Sequence, residues 1–192
     1  FLRNLEMMRA GLDAESSIVF QGGRMMAMTE ETVVSAPAEL KGFVGTVRAK
    51  PLIEQLQRWT EEVVELIPSE SELQINGKNQ RCAIAIEKGD QFAAEWLEEP
   101  GEFVKLPEGF TEAIRLVGEC TGRDESEPAT VCIHLTAKWI EAFDNTQAVR
   151  YRLESGIAVP FLARRDSIKH VVFLDVTEIA VGKNWVHFRN PS

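Results

Sequence analysis

The sequence is poor in the features that usually mark chemistry. Its three cysteines, Cys82, Cys120 and Cys132, are odd in number and sit at no metal or redox spacing, which fits unpaired thiols in a reducing cytoplasm. No apolar run approaches the roughly eighteen residues of a membrane span. Arg3, Glu6 and Arg9 interrupt the first apolar stretch, so it does not read as a signal peptide. No serine has a nucleophile-elbow context, and no glycine-rich loop matches a phosphate-binding fingerprint. Cys132 and His134 share one strand face, with His170 and His187 elsewhere, and no second Cys/His pair completes a four-ligand site. Packed side chains account for that pair better than a metal. Asp144 or Glu141 could be pressed into acid–base duty, but neither has an evident partner. The expectation is a non-catalytic protein with no metal and no cofactor.

What is present is core-forming material and an uneven charge. The 192 residues are 44% hydrophobic and 27% charged, enough for one large domain or two small ones. A net charge of −9 argues at first against a nucleic-acid partner. Its distribution points the other way. Four segments read as helices, Phe1–Leu12, Lys50–Thr60, Pro107–Gly118 and Phe161–Val171, and together they carry +3, leaving −12 for the rest. The acids crowd into Glu87–Glu102 and Asp124–Glu127, where solvated loops are the plain alternative.

The order of elements repeats. Short β runs at 17–20, 24–28 and 32–36, the first two joined by Gly22-Gly23, precede a strand at 42–48 that feeds the second helix. Pro51 marks that helix start, and Leu52, Ile53, Leu56 and Trp59 form its apolar stripe. Strands at 63–67, 72–75 and 81–86 follow. After the acidic Glu87–Glu102 the pattern returns: a strand at 103–106, a helix begun by Pro107, strands at 131–135, 139–143 and 148–153, then 157–159 running into the fourth helix. A hairpin at 176–181 and 185–189 closes the series. The Met25-Met26-Met28 run reads as core on a short strand.

Four helix-plus-strands units in two pairs resemble the internal symmetry of DNA sliding clamps. GECTGRDESEPATVCIHL resembles the first half of a clamp domain, and KWIEAFDNTQAVRYRL its pair of strands joined through an x-T-D-G-x-R-L turn. SGIAVPFLARRDSIKHV is similar to the strand–proline–basic–helix entry of the second half, and VTEIAVGKNWVHFRN to its hairpin. The match is to the middle domain of the bacterial polymerase III β-subunit type, or a phage version of it.

That resemblance implies an α+β clamp fold with two domains, 1–98 and 99–192. The first would lack its leading strand and the second its last, as in a fragment of a longer chain. It implies a processivity factor that encircles double-stranded DNA without reading sequence, tethers DNA polymerase, and is placed by a clamp loader. The ring would be homo-oligomeric, a dimer of three-domain chains or a trimer of two-domain chains, in the cytoplasm at the nucleoid and not at a membrane. By position, Arg123 matches the family's DNA-touching loop arginine, while Arg3, Lys50, Arg58, Arg115, Arg164, Arg165 and Lys169 match the pore-facing helices. Phe143, Asp144, Asn145, Thr146, Gln147 and Ala148 replace the turn that lines the family's client-peptide pocket, and only Asp144 keeps the family residue. A checkpoint- or repair-type clamp acting as an interaction platform would use the same fold. A cytoplasmic enzyme using Asp144 and His134 is the remaining alternative.

Overall fold

A computed structural model describes residues 2–8, 16–29, 31–38, 40, 42–61, 63–87 and 100–191, the side chains of Leu2, Arg3 and Glu6 excepted. The chain divides into two compact units, Phe1–Ala93 and Ala94–Ser192, each with two helices and antiparallel sheet. Most of the acidic stretch between the expected domains, and Arg9, lie outside the described residues.

The first unit opens on α1 (Leu2–Met8) and the hairpin of β1 (Ser17–Gln21) and β2 (Arg24–Met28). Gly22 and Gly23 turn it with φ of +60° and +74°, the positive pair that a two-residue hairpin turn needs and glycine adopts without strain. Then come β3 (Val33–Pro37), β4 (Gly45–Arg48), α2 (Ala49–Arg58), β5 (Glu65–Pro68), β6 (Glu72–Asn76) and β7 (Arg81–Glu87). All seven strands make one sheet in the order β3-β2-β1-β4-β7-β6-β5, its halves joined where Val47 faces Ile86. Leu52, Ile53 and Leu56 of α2 are buried with Leu5 and Met8 of α1 and Ile18, Phe20 and Val47 of the sheet. Each such aliphatic side chain contributes about 1.5–3 kcal/mol by leaving water. Gly45 makes room for the Phe43 ring, which a Cβ there would approach to 2.8 Å and force to shift.

The second unit comprises β8 (Val104–Lys105), α3 (Phe110–Gly118), β9 (Cys132–Leu135), β10 (Trp139–Phe143), β11 (Ala148–Arg152), β12 (Phe161–Arg164), α4 (Arg165–Phe173), β13 (Glu178–Val181) and β14 (Val186–Arg189). Its sheets run β11-β10-β9-β12 and β14-β13-β8. Phe110, Ile114 and Val117 of α3 and Ile168 and Val171 of α4 bury against Ile133, Leu135, Ile140 and Ile179.

The two units share one local frame. In the first, Ser17 faces Arg48 and the Ala49 N–H donates to the Ser16 carbonyl at 3.0 Å. In the second, Cys132 faces Arg164 and the Arg165 N–H donates to the Val131 carbonyl at 2.9 Å. Arg48 and Arg164 cap their helices in extended conformation, so each strand passes into its helix without a loop.

Three sequence expectations change. The fourth helix starts at Arg165 and not at Phe161, because Phe161–Arg164 ladder onto β9 and residues 157–159 form no strand. Arg164 is therefore the last residue of a strand and not a helix-face cation. The third helix starts at Phe110: Gly109 takes φ +83° and Pro107 sits in the preceding turn, accepting the Phe110 N–H at 3.2 Å. Met25 and Met26 are core, but Met28 is 39% exposed at the strand end.

Candidate nucleic-acid interface and an outer-face groove

On α2 the apolar stripe faces the core, which leaves Lys50, Glu54 and Arg58 on the exposed face. Among the described residues, Lys50 and Arg58 make no ion pair. On α3 the exposed cation is committed: Arg115 donates to the Glu112 carboxylate at 2.7 and 2.9 Å, which holds that carboxyl below its ordinary range. On α4, Lys169 donates to Asp166 at 2.8 Å, again lowering the acid's pKa. Exposed i, i+3 pairs of this kind are worth little and exchange readily for another anion. Arg165 is half-buried at the start of α4. Arg3 lies on α1, with its side chain outside those described.

Arg123 is exposed on the loop between α3 and β9, in acidic company. Asp124 accepts from the Ser126 N–H and hydroxyl and titrates below its usual value as a result. Glu125 pairs with Arg164 at 3.3 Å, and Glu127 accepts from the Asn145 amide of the β10–β11 turn. The loop is thus pinned at two points, which sequence reading did not anticipate.

The six residues expected at a client pocket divide by role. Asp144 builds the turn: its carboxylate accepts from the Thr146 hydroxyl at 2.7 Å and from the Gln147 and Thr146 N–H groups at 2.9 and 3.0 Å, lowering its pKa to about 2. Asn145 takes φ +71° at the tip. A carboxylate so held, with His134 bonded elsewhere, has no geometry for acid–base work with it. Phe143 and Ala148, which face each other at the hairpin's end, line a groove of about 770 Å³ on the outer face of the β9–β12 sheet. Ala129, Cys132, His134, Glu141, Arg150 and Leu162 complete most of its wall.

One row of that wall was not foreseen. Leu162, His134, Glu141 and Arg150 stand opposite one another across four adjacent strands. His134 Nδ1 lies 2.9 Å from Glu141, and Arg150 donates to the other carboxylate oxygen at 2.5 Å. Burial pushes the Glu141 pKa up, but the bonds from His134 and Arg150 outweigh it and the net shift is downward. His134 is therefore a partner in a charged row and not a packed core side chain. Among the described residues no group of three or more His, Cys, Asp or Glu could hold a metal ion, and no helix is long and apolar enough to cross a membrane.

Sheet-backed helix pairs built twice over one hydrogen-bond frame define a clamp-type α+β fold. Solved structures with that fold include the DNA polymerase III subunit beta from Pseudomonas aeruginosa, with a TM-score of 0.79 at 14% identity over 98% of this chain. The DNA polymerase III beta subunit from Thermotoga maritima gives 0.74 at 18% over 99%, and the Helicobacter pylori beta clamp bound to a DNA ligase peptide gives 0.71 at 10% over 99%. This chain spans 59–61% of the length of those chains. No family model matches the sequence, and no curated protein matches it.

Proposed function

We propose that this polypeptide belongs to a ring-forming sliding clamp, a processivity factor that encircles duplex DNA and tethers a polymerase without chemistry of its own. The observation that carries the reading is the twice-built strand-to-helix frame whose helices expose cations on a chain that is otherwise acidic. Arg3, Lys50, Arg58, Arg115, Arg165 and Lys169 would meet phosphates without reading bases, joined by Arg123 and Arg164 from less favourable positions. Attraction of this kind is weak, screened by salt and blind to sequence, as sliding requires. The acidic remainder repels DNA from other surfaces.

The partners in this reading are double-stranded DNA, DNA polymerase, a clamp loader and further copies of the chain closing a ring, as a dimer with three domains per chain or a trimer with two. The site of action is the cytoplasmic nucleoid. Client peptides would dock where the β10–β11 turn, Phe143–Ala148, meets the groove. The test is loader-dependent retention on circular and on linearised duplex. Retention on circles with loss from linear ends is expected; equal retention on both eliminates the ring.

A further inference from the structure

Beside the groove, on the same face of the β9–β12 sheet, lies a patch whose chemistry selects a partner. Two residues along the strands from the His134–Glu141–Arg150 row, Trp139 faces Arg152 across the hairpin. The guanidinium carbons of Arg150 and Arg152 lie 5.4 and 5.8 Å from the centre of the Trp139 ring. A guanidinium within cation–π reach of an indole is drawn to the ring while its N–H groups stay available for a bidentate acceptor. Arg150 has one carboxylate already, from Glu141, and is still 60% exposed. Arg152 is exposed and, among the described residues, has no ion pair. Inside the groove stand apolar side chains left in water, Phe143 at 43% exposure two residues further along β10 and Leu162 at 60% on β12, the far strand of the row. The face is therefore cationic and aromatic at one end and apolar at the other.

Resting on the clamp reading and deepening its client site, we propose that this outer face takes an extended acidic peptide, one carboxylate seated on Arg152 and Arg150 and one apolar side chain seated between Phe143 and Leu162. From the Arg152 row to the Phe143 row is four residues of strand, about 13 Å at the usual rise. The two anchors in the peptide should accordingly be about four residues apart. Charge complementarity chooses the occupant. Two adjacent arginines suit one or two carboxylates, whereas a nucleic-acid strand would bring a phosphate at every residue past the Glu141 carboxylate and over an apolar floor. A second copy of the chain would present the same arginines to themselves.

The probe is a pair of ten-residue fluorescein-labelled peptides with a Glu-Glu pair four positions before or after a single Phe, in a Gly/Ser/Ala background. Fluorescence anisotropy with the 192-residue chain should show saturable binding of one of them, weakened by salt. Exchanging Glu-Glu for Gln-Gln should weaken it roughly tenfold, as loss of charge-assisted hydrogen bonds does. Arg152→Ala and Phe143→Ala should each weaken it similarly, while Lys78→Ala, on the first unit, leaves it unchanged. Equal binding of the Gln-Gln peptide, no binding of either peptide, or tighter Arg152-dependent binding of a ten-nucleotide oligothymidylate each overturns the proposal. None of these outcomes touches retention on circular DNA, so failure here leaves the ring reading standing, and failure of retention leaves this measurement readable.

Discussion

The same row of the sheet is built twice and filled in opposite ways. In the first unit, two residues before the helix cap, the row across β4, β1, β2 and β3 reads Thr46, Val19, Met26 and Ser35. In the second, across β12, β9, β10 and β11, it reads Leu162, His134, Glu141 and Arg150. The frames agree to 0.1 Å in the hydrogen bond that launches each helix. Their outer faces do not agree: Met25, Met26 and Ala27 are buried in succession on β2, while β10 alternates buried with half-exposed. A frame set by backbone pairing leaves the outer side chains free to diverge. One copy spends that freedom on burial and the other on charge.

If the frames are equivalent, damage to matching core positions should cost the same and stay local. Ile18 and Ile133 occupy corresponding sites, facing Val47 and Ala163, and both are fully buried. Ile18→Ala and Ile133→Ala should each cost about 2–5 kcal/mol. Hydrogen exchange should rise along β1 and its neighbours for the first and along β9 and its neighbours for the second. Matched costs with crossed effects would mean that the units do not unfold as separate bodies.

The helices offer a second contrast, between the cations of α2, which have no ion pair among the described residues, and the committed ones of α3 and α4. Glu112→Gln and Asp166→Asn release Arg115 and Lys169 from their i, i+3 partners. Duplex affinity should rise several-fold for the pair of changes, and the slope of log K against log salt should steepen by about one per freed cation. Lys50→Ala and Arg58→Ala should flatten it by a similar step. No change in slope from any of the four would remove these faces from the DNA contact.

Glu141→Met gives the second row its first-unit filling. The ion pairs are half-exposed, so the loss should stay under about 1 kcal/mol. The more telling readout is pH. Because the folded Glu141 pKa is lowered, its contribution is complete above the ordinary carboxylate value of 4.5 and is lost as pH falls through the lowered one. The variant should lack that acid-linked decline in thermal stability; an identical pH profile would mean that the row stores nothing.

Much of this was legible in the sequence, and the omissions have a common cause. α2 could be read because Leu52, Ile53 and Leu56 announce a helical stripe right after Pro51. The junction at Leu162-Ala163-Arg164-Arg165 could not, because those residues suit a helix as well as a strand and only the ladder onto β9, some thirty residues away, decides between them. The charged row hid for the same reason. Glu141 and Arg150 become neighbours only once the four-residue turn fixes the hairpin register, and His134 joins only once β9 is placed. The pinning of the Arg123 loop by Glu127 and Glu125 likewise depends on contacts distant in sequence. Local periodicity is written in adjacent residues, but register is written in pairs.

The turn that closes this hairpin is organised by a single exposed carboxylate, which makes Asp144 the smallest and sharpest place to press. It accepts four hydrogen bonds from Thr146 and Gln147 and titrates at about 2, so the turn should keep its geometry down to pH 3 and lose it only below. Asp144→Ala removes the acceptor without touching the core. Amide exchange at Thr146 and Gln147 should accelerate by an order of magnitude or less, with Glu141 and Arg150 still paired, because five facing residue pairs along β10 and β11 hold the hairpin. Asp144→Asn retains one carbonyl acceptor and should fall between. If the alanine variant instead releases the Glu141–Arg150 pair, the turn is setting the register of the charged row, and the divergence between the two units traces back to one loop rather than to the strands themselves.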